Sequence, residues 1–282
     1  MEIAERLGDP ELRSYAYDAR AISLFVHGRI ELGHELEKRR FELLDRIIDP
    51  EHVADIHYAP ITASVWHGDF AEARYLARRH DEISAPLTAH HRIHGVAVLL
   101  EVEELAGCWE TILTLQHVAE VRVAANADTP CVRNARSLLV CALANVYVGR
   151  AEEAKRLERA AEEMRMEGFG HVLDTPRVRL GLARGDLERV ERLLAEPPPE
   201  RGWHRGWLLI STHAARLDGL AALGRRDELE AWPRVDEGSY LEPFLLRALA
   251  LVRKDGHLLE RALAAFEALG LGWHAAETRP LL

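Results

Sequence analysis

The sequence lacks most of the signatures that mark a catalytic, membrane or extracellular protein. It has no G-x-x-x-x-G-K-[ST] phosphate loop and no recognisable DNA-reading helix-turn-helix. Its three cysteines, Cys108, Cys131 and Cys141, have no metal-type spacing, and so few thiols suit a reducing compartment. No apolar run approaches the length of a membrane span, and no signal segment opens the chain. We therefore expect a cytoplasmic protein without membrane contact.

Positive charge is also in short supply. Lysine and arginine number 36 against 46 acidic residues, which gives a formal net charge of -10. Such a surface disfavours direct nucleic-acid binding. Hydrophobic residues make up 48% and charged residues 29%, an ordinary balance for a globular chain. Because no stretch alternates strictly between apolar and polar residues, we expect no strands and an all-helical fold.

A recurring turn is the main feature that the sequence does contain. In residues 148–154 an apolar helical run ends, a glycine follows, and a charged amphipathic helix begins. A glycine accepts the left-handed conformation that often ends a helix, because it has no Cβ. Related turns are spaced 32 to 42 residues apart. They centre on Gly28, Gly68, Gly107, Gly149, Gly185, Gly224 and Gly256.

The residues after each glycine test this interpretation. A small or apolar residue stands five positions on and a larger apolar residue eight positions on, which places both on one helix face. Six of the seven copies obey both rules. The copy at Gly256 fits better when shifted by one residue, to Ala262. The pattern is typical of paired antiparallel helices.

The repeat predicts the whole architecture. We expect an all-α, right-handed solenoid of about seven antiparallel helix pairs, forming one domain over residues 1–282. Pro60 should break the first helix of the second pair, and Pro176 should open the fifth pair. The proline triplet at residues 197–199 predicts a bend near 195–202.

Short sequence motifs indicate which class of repeat protein the chain resembles. The period and the glycine turn resemble tetratricopeptide repeats, although their usual period is about 34 residues. Leu-Gly-Asp-Pro at residues 7–10, with residues 266–270 and 273–279, is similar to the divergent repeats of large bacterial signal-transduction ATPases and LuxR-type regulators such as the maltose-regulon activator. The resemblance implies a sensor solenoid that belongs to a longer regulator. It implies no functional residue.

The function that follows is binding without catalysis. No nucleophile, base and orienting group can be assembled from the sequence, so we expect no enzyme activity and no cofactor. Solenoids bind partners in their concave groove, here a protein, a peptide or a small effector. Glu101 and Glu104 should face water or that partner, so that reversing their charges would leave stability nearly unchanged. The expected groove residues are Tyr15, Asp18, Asp55, Tyr58, Trp66, His94, Glu101, Glu104, Arg136, Tyr147, Arg179 and Asp218.

Two alternatives remain open at this point. His90 and His94 lie four residues apart on one helix face, as metal ligands on helices often do, and His91 lies between them. A metal-dependent enzyme centred on these three histidines would need a further ligand, for which His52 or His57 are the nearest guesses. The third reading is a purely structural scaffold that forms a homodimer.

Overall fold

The computed structural model describes residues 2–166, 170–195 and 206–282, and within these ranges the chain is helical and contains no strand. The short 3-10 helices Leu44–Arg46 and Arg279–Leu281 accompany seventeen α-helices. These are α1 (Glu2–Leu7), α2 (Pro10–Val26), α3 (Ile30–Phe41), α4 (Pro50–Tyr58), α5 (Ile61–Trp66), α6 (Phe70–Ser84), α7 (Ala89–Ala106), α8 (Trp109–Ala125), α9 (Val132–Tyr147), α10 (Ala151–Glu163), α11 (Gly170–Arg184), α12 (Leu187–Leu194), α13 (Trp207–Ala222), α14 (Arg226–Glu230), α15 (Glu242–Arg253), α16 (Gly256–Ala268) and α17 (Gly272–Thr278).

The turn glycines produce the expected helix pairs. Six of the seven have a left-handed backbone, with φ between +67° and +77°. The residue five positions after each of these six is buried, as predicted. Each first helix packs on its second helix, from α2 on α3 to α15 on α16. First helices also pack on one another, α7 on α9, α9 on α11, α11 on α13 and α13 on α15. The surface formed by these first helices, together with α4 and α5, is called the inner face below.

The seventh turn is made by a different residue. Lys254 has the left-handed φ of 55°, and Gly256 is already the first residue of α16. Counted from Lys254, the positions five and eight on are Leu259 and Ala262, and both are buried. The repeat is therefore intact here. The prediction that Ala262 fits better than Arg261 is confirmed, since Ala262 is buried and Arg261 is exposed, but the turn is offset from Gly256 by two residues and not by one. A lysine is uncommon in this conformation, so its residue type does not predict the turn.

The prolines gave mixed results. Pro60 separates α4 from α5, which confirms the predicted break. Pro176 lies inside α11, which begins at Gly170, so the prediction that Pro176 opens this helix was wrong. The helix continues past a residue that cannot donate its backbone hydrogen bond. The triplet at 197–199, and with it most of the predicted bend, lies outside the described residues.

The C-terminal pairs fold back onto the second and third pairs. Tyr240 donates a backbone hydrogen bond to the carbonyl of Trp66 at 2.8 Å, and its hydroxyl donates to the carbonyl of Leu105 at 2.9 Å. His274 Nε2 lies 3.2 Å from the same Leu105 oxygen, and Trp273 packs edge-on against Trp109. The inner face is therefore covered in its middle by the chain itself. Among the described helices, none is both long and apolar enough to cross a membrane.

A pair of glycine substitutions tests this closure. A Cβ at Gly107 would lie 2.9 Å from Trp273 Cβ, whereas a Cβ at Gly149 would meet nothing within 4 Å. Both glycines are left-handed, so Ala costs roughly 1–2 kcal/mol of backbone strain at either position. We expect Gly107→Ala to lose about 1–3 kcal/mol more in the free energy of unfolding, measured by urea denaturation. Equal losses would contradict the packing of α17 on this turn.

Candidate functional site

Buried ion pairs occupy the middle of the inner face. Glu104 on α7 is 0% exposed, and one of its carboxylate oxygens accepts a hydrogen bond from Arg136 at 2.6 Å. Arg179 donates to the Glu104 backbone carbonyl at 3.2 Å. One turn earlier, Glu101 is 2% exposed and accepts from Arg133 at 3.2 Å and from the indole of Trp207 at 3.1 Å. These glutamates are fixed by the chain and are not offered to a partner.

The expectation that Glu101 and Glu104 face water or a partner was therefore wrong. The physical reason is visible in α7, which is apolar on all sides and is packed on all sides from Ile93 to Ala106. A glutamate in such a helix is buried, and a buried charge needs a partner. Four other residues that were predicted to line the groove contact side chains of this chain instead. They are Arg136, Tyr147, Arg179 and Asp218, the last of which accepts from Arg247 at 2.7 Å.

A crevice remains open at one edge of the inner face. It lies between α2 and α5 on one side and α13 with the segment joining α14 to α15 on the other. Its larger chamber has a volume of about 460 Å³, and its smaller chamber about 170 Å³. Both chambers are lined by Phe25, Thr62 and Gly206, so they adjoin. The walls of the larger chamber are mainly apolar, with Trp66, Leu209, Ile210, Trp232, Val235 and Leu241 among the lining residues.

A few polar groups in the crevice have no partner. Within the described part of the chain, neither the Thr62 hydroxyl nor the Asp55 carboxylate makes a hydrogen bond. His213 Nδ1 is buried and also lacks a hydrogen bond. Burial lowers the pKa of His213 to about 4, with Arg216 as a smaller cause, so its ring is neutral at physiological pH. Apolar walls with a small number of unsatisfied polar groups are typical of a ligand pocket.

Four of the twelve predicted residues line this crevice, namely Asp18, Asp55, Tyr58 and Trp66. Tyr15 is 49% exposed and stacks on His52 instead. The sequence interpretation missed the opposite wall, which comes from α13 and the segment after α14. No sequence signal was available for it, because Leu209 and Trp66 line the same chamber only through closure of the chain, although they lie 143 positions apart.

The histidine cluster assembles differently from the prediction. The rings of His90 and His94 lie 4.4 Å apart, and the third candidate ligand beside them is Cys131, with all three ligand atoms within 4.8 Å of one another. His91 points elsewhere, towards Glu51 at 3.3 Å. The guesses for a further ligand were wrong. His52 Nε2 lies 2.7 Å from the Ser14 hydroxyl, and His57 Nδ1 lies 2.9 Å from the Val53 carbonyl.

The surroundings of His94 are unfavourable for a metal cation. Arg133 Nη1 lies 3.3 Å from His94 Nδ1, so this nitrogen accepts a hydrogen bond and the proton sits on Nε2, the atom nearest Cys131 Sγ. A metal-bound histidine has the opposite arrangement, with its second nitrogen donating. Burial and the Arg133 charge lower the pKa of His94 to about 2. Cys141 offers no reactive thiolate, since burial raises the pKa of its thiol to about 12.

Comparisons with protein-family models, with curated proteins and with solved structures returned no match. The resemblance to bacterial regulators therefore stays a prediction, and the crevice geometry has to support any function by itself.

The buried ion pairs give a sharp prediction of stability. Glu104→Ala leaves two buried guanidinium groups without their carboxylate, and we expect it to cost about 3–5 kcal/mol in the free energy of unfolding. Glu110→Ala, at an exposed position on α8, should cost less than about 0.5 kcal/mol. Urea denaturation of both variants measures the difference. A small and equal loss would show that Glu104 is not buried between these arginines.

Proposed function

We propose that this chain is a non-catalytic binding module, a right-handed tetratricopeptide-like solenoid that takes a small, largely apolar effector in its crevice. The observation that carries the proposal is the crevice itself, whose larger chamber of about 460 Å³ is in the size range of ligand pockets and adjoins the smaller chamber of about 170 Å³. Its apolar walls supply binding energy, and the unpartnered Thr62, Asp55 and His213 groups supply orientation.

A peptide helix is a less suitable occupant than a small molecule. The middle of the inner face, where an extended partner would lie, is filled by Trp207, Tyr240 and His274. The remaining opening is bounded by different helices on each side. A bound effector therefore contacts both the first pairs and the sixth pair, and it favours the arrangement in which both sides are in place. This is the behaviour of a sensor, and it agrees with the role in a bacterial signalling or transcription regulator that the sequence resemblance implies.

Binding of a simple probe tests the proposal. We expect 3-phenylpropan-1-ol to bind saturably with one site per chain, measured by isothermal titration calorimetry. Leu209→Trp fills the larger chamber and should weaken binding at least about ten-fold, because the indole takes the volume of the probe. Leu187→Trp, on the exposed face of α12, is the matched control and should bind normally. Absence of saturable binding, or equal binding by both variants, would refute the crevice as the site.

A metal-dependent enzyme is the second candidate, and the juxtaposition of His90, His94 and Cys131 is the observation in its favour. The Arg133 contact with His94 weighs against it. Under the first proposal, metal analysis of purified protein should find less than about 0.1 zinc per chain, and a chelator should leave the melting temperature unchanged. Stoichiometric zinc that disappears in Cys131→Ser would support the second candidate instead.

A further inference from the structure

The smaller chamber of the crevice is walled by aromatic rings whose polar ends are already used. The Tyr58 hydroxyl accepts a hydrogen bond from Arg133 at 2.6 Å, and the Trp207 indole donates to Glu101 at 3.1 Å. The two rings lie 4.4 Å apart at 63°, and Phe25 lines the same chamber. Aromatic ring surfaces carry negative electrostatic potential and attract cations, and Arg133 already lies over the Tyr58 ring, 4.9 Å from its centroid.

Two carboxylates complete the lining, and one of them is uncommitted. Asp18 accepts a hydrogen bond from Arg40 at 2.7 Å. Asp55 has neither a hydrogen bond nor an ion pair within the described residues, although solvent reaches it. Thr62, which borders both chambers, is only 3% exposed, and its hydroxyl also has no partner among the described residues. An acceptor with negative charge and a buried hydroxyl thus meet in one chamber.

The electrostatic state of Asp55 agrees with a missing positive partner. Partial desolvation raises the pKa of Asp55 to about 6, although the residue is exposed at the surface, and the charge of Asp18 acts in the same direction. Arg40 and Arg133 oppose this rise, but each of them is hydrogen-bonded to other carboxylates, Arg40 to Asp18 and Glu37 and Arg133 to Glu101. A ligand cation would supply what these committed arginines do not.

We propose that the smaller chamber binds the ammonium group of an organic amine whose apolar body occupies the larger chamber. The ammonium donates to the Asp55 carboxylate and the Thr62 hydroxyl, and it lies beside the Tyr58 ring, which lines the chamber. A hard metal cation fits poorly, because it needs six or more oxygen ligands, and the oxygens of Asp18 and Tyr58 in this chamber already bond to arginines. An anion is disfavoured by Asp18 and Asp55. This inference rests on the proposed function, since it concerns the same crevice.

Three probes with one aromatic body and different heads test the inference. They are 3-phenylpropylamine, 3-phenylpropan-1-ol and 3-phenylpropanoate, compared by isothermal titration calorimetry near neutral pH. We expect the amine to bind at least about ten-fold more tightly than the alcohol, and the carboxylate to bind most weakly. Asp55→Asn should reduce the affinity for the amine to that for the alcohol and leave the alcohol unaffected. Asp128→Asn, at an exposed position far along the chain, is the matched control.

The pH dependence is an independent readout. The alkylamine stays protonated below neutral pH, as a lysine does. Its affinity should therefore rise between about pH 5 and 7, as Asp55 loses its proton, and then level off. The charged and titratable groups around Asp55 are Asp18 from α2, Arg40 from α3, His91 from α7 and Arg133 from α9, with Tyr15 also near. Asp55→Asn keeps all of them, so a flat profile in this variant isolates the carboxylate.

The outcomes separate this inference from the proposed function. If the alcohol and the amine bind equally, or if Asp55→Asn leaves the amine unaffected, the amine assignment is overturned while the crevice remains a ligand site. If none of the three probes binds, the proposed function fails and the amine assignment fails with it. Preferential binding of the carboxylate would overturn the amine assignment directly.

Discussion

The structure depends on how the buried end of α7 satisfies its polar groups. The last carbonyls of a helix have no partner within it, and a buried helix end must find them elsewhere. Here Tyr240 donates to the carbonyl of Leu105, with His274 at hydrogen-bond distance from the same oxygen, and Arg179 adds a second donor to the carbonyl of Glu104, which the Gly107 N–H also caps. These side chains come from 75 to 169 positions further along the chain. The need to satisfy the carbonyls at the end of α7 thus fixes the positions of α11, of Tyr240 just before α15, and of α17.

The buried glutamates of α7 also need partners, and these partners come from the helices beside α7. Glu101, Glu103 and Glu104 are all buried, and each pairs with an arginine of a neighbouring helix. Buried pairs of this kind stabilise little against apolar replacements, but breaking one is costly. These ion pairs therefore determine which packing arrangement forms more than they add to the free energy of unfolding. α7 ties α6, α9 and α11 to one position, and the crevice is the space left where, among the described residues, no ion pair joins α2 or α5 to α13.

The local architecture could be read from the sequence, and the closure could not. The glycine turns and the apolar residues five positions after them depend only on neighbours in the chain, so the helix pairs were predicted with few errors. The turn at Lys254 was not predicted, because lysine is not a residue type that indicates a left-handed backbone. Glu101 and Glu104 were predicted to be exposed because charged residues usually lie on a solvated helix face. A helix such as α7, which has no polar face, is instead buried on all sides. The residues α13 contributes to the crevice had no signal, since their contacts are long-range.

Closure of the chain also bears on the proposed sensor role. Tyr240 bonds to Trp66 through the backbone, and Trp66 lines the larger chamber. The crevice and the contact that closes the inner face therefore share a residue. A ligand changes the balance between two arrangements only by the difference in its affinity for them. Under the proposed function, a molecule that fills the chamber beside Trp66 has such a difference, because α13 and the segment after α14 supply one wall of its site.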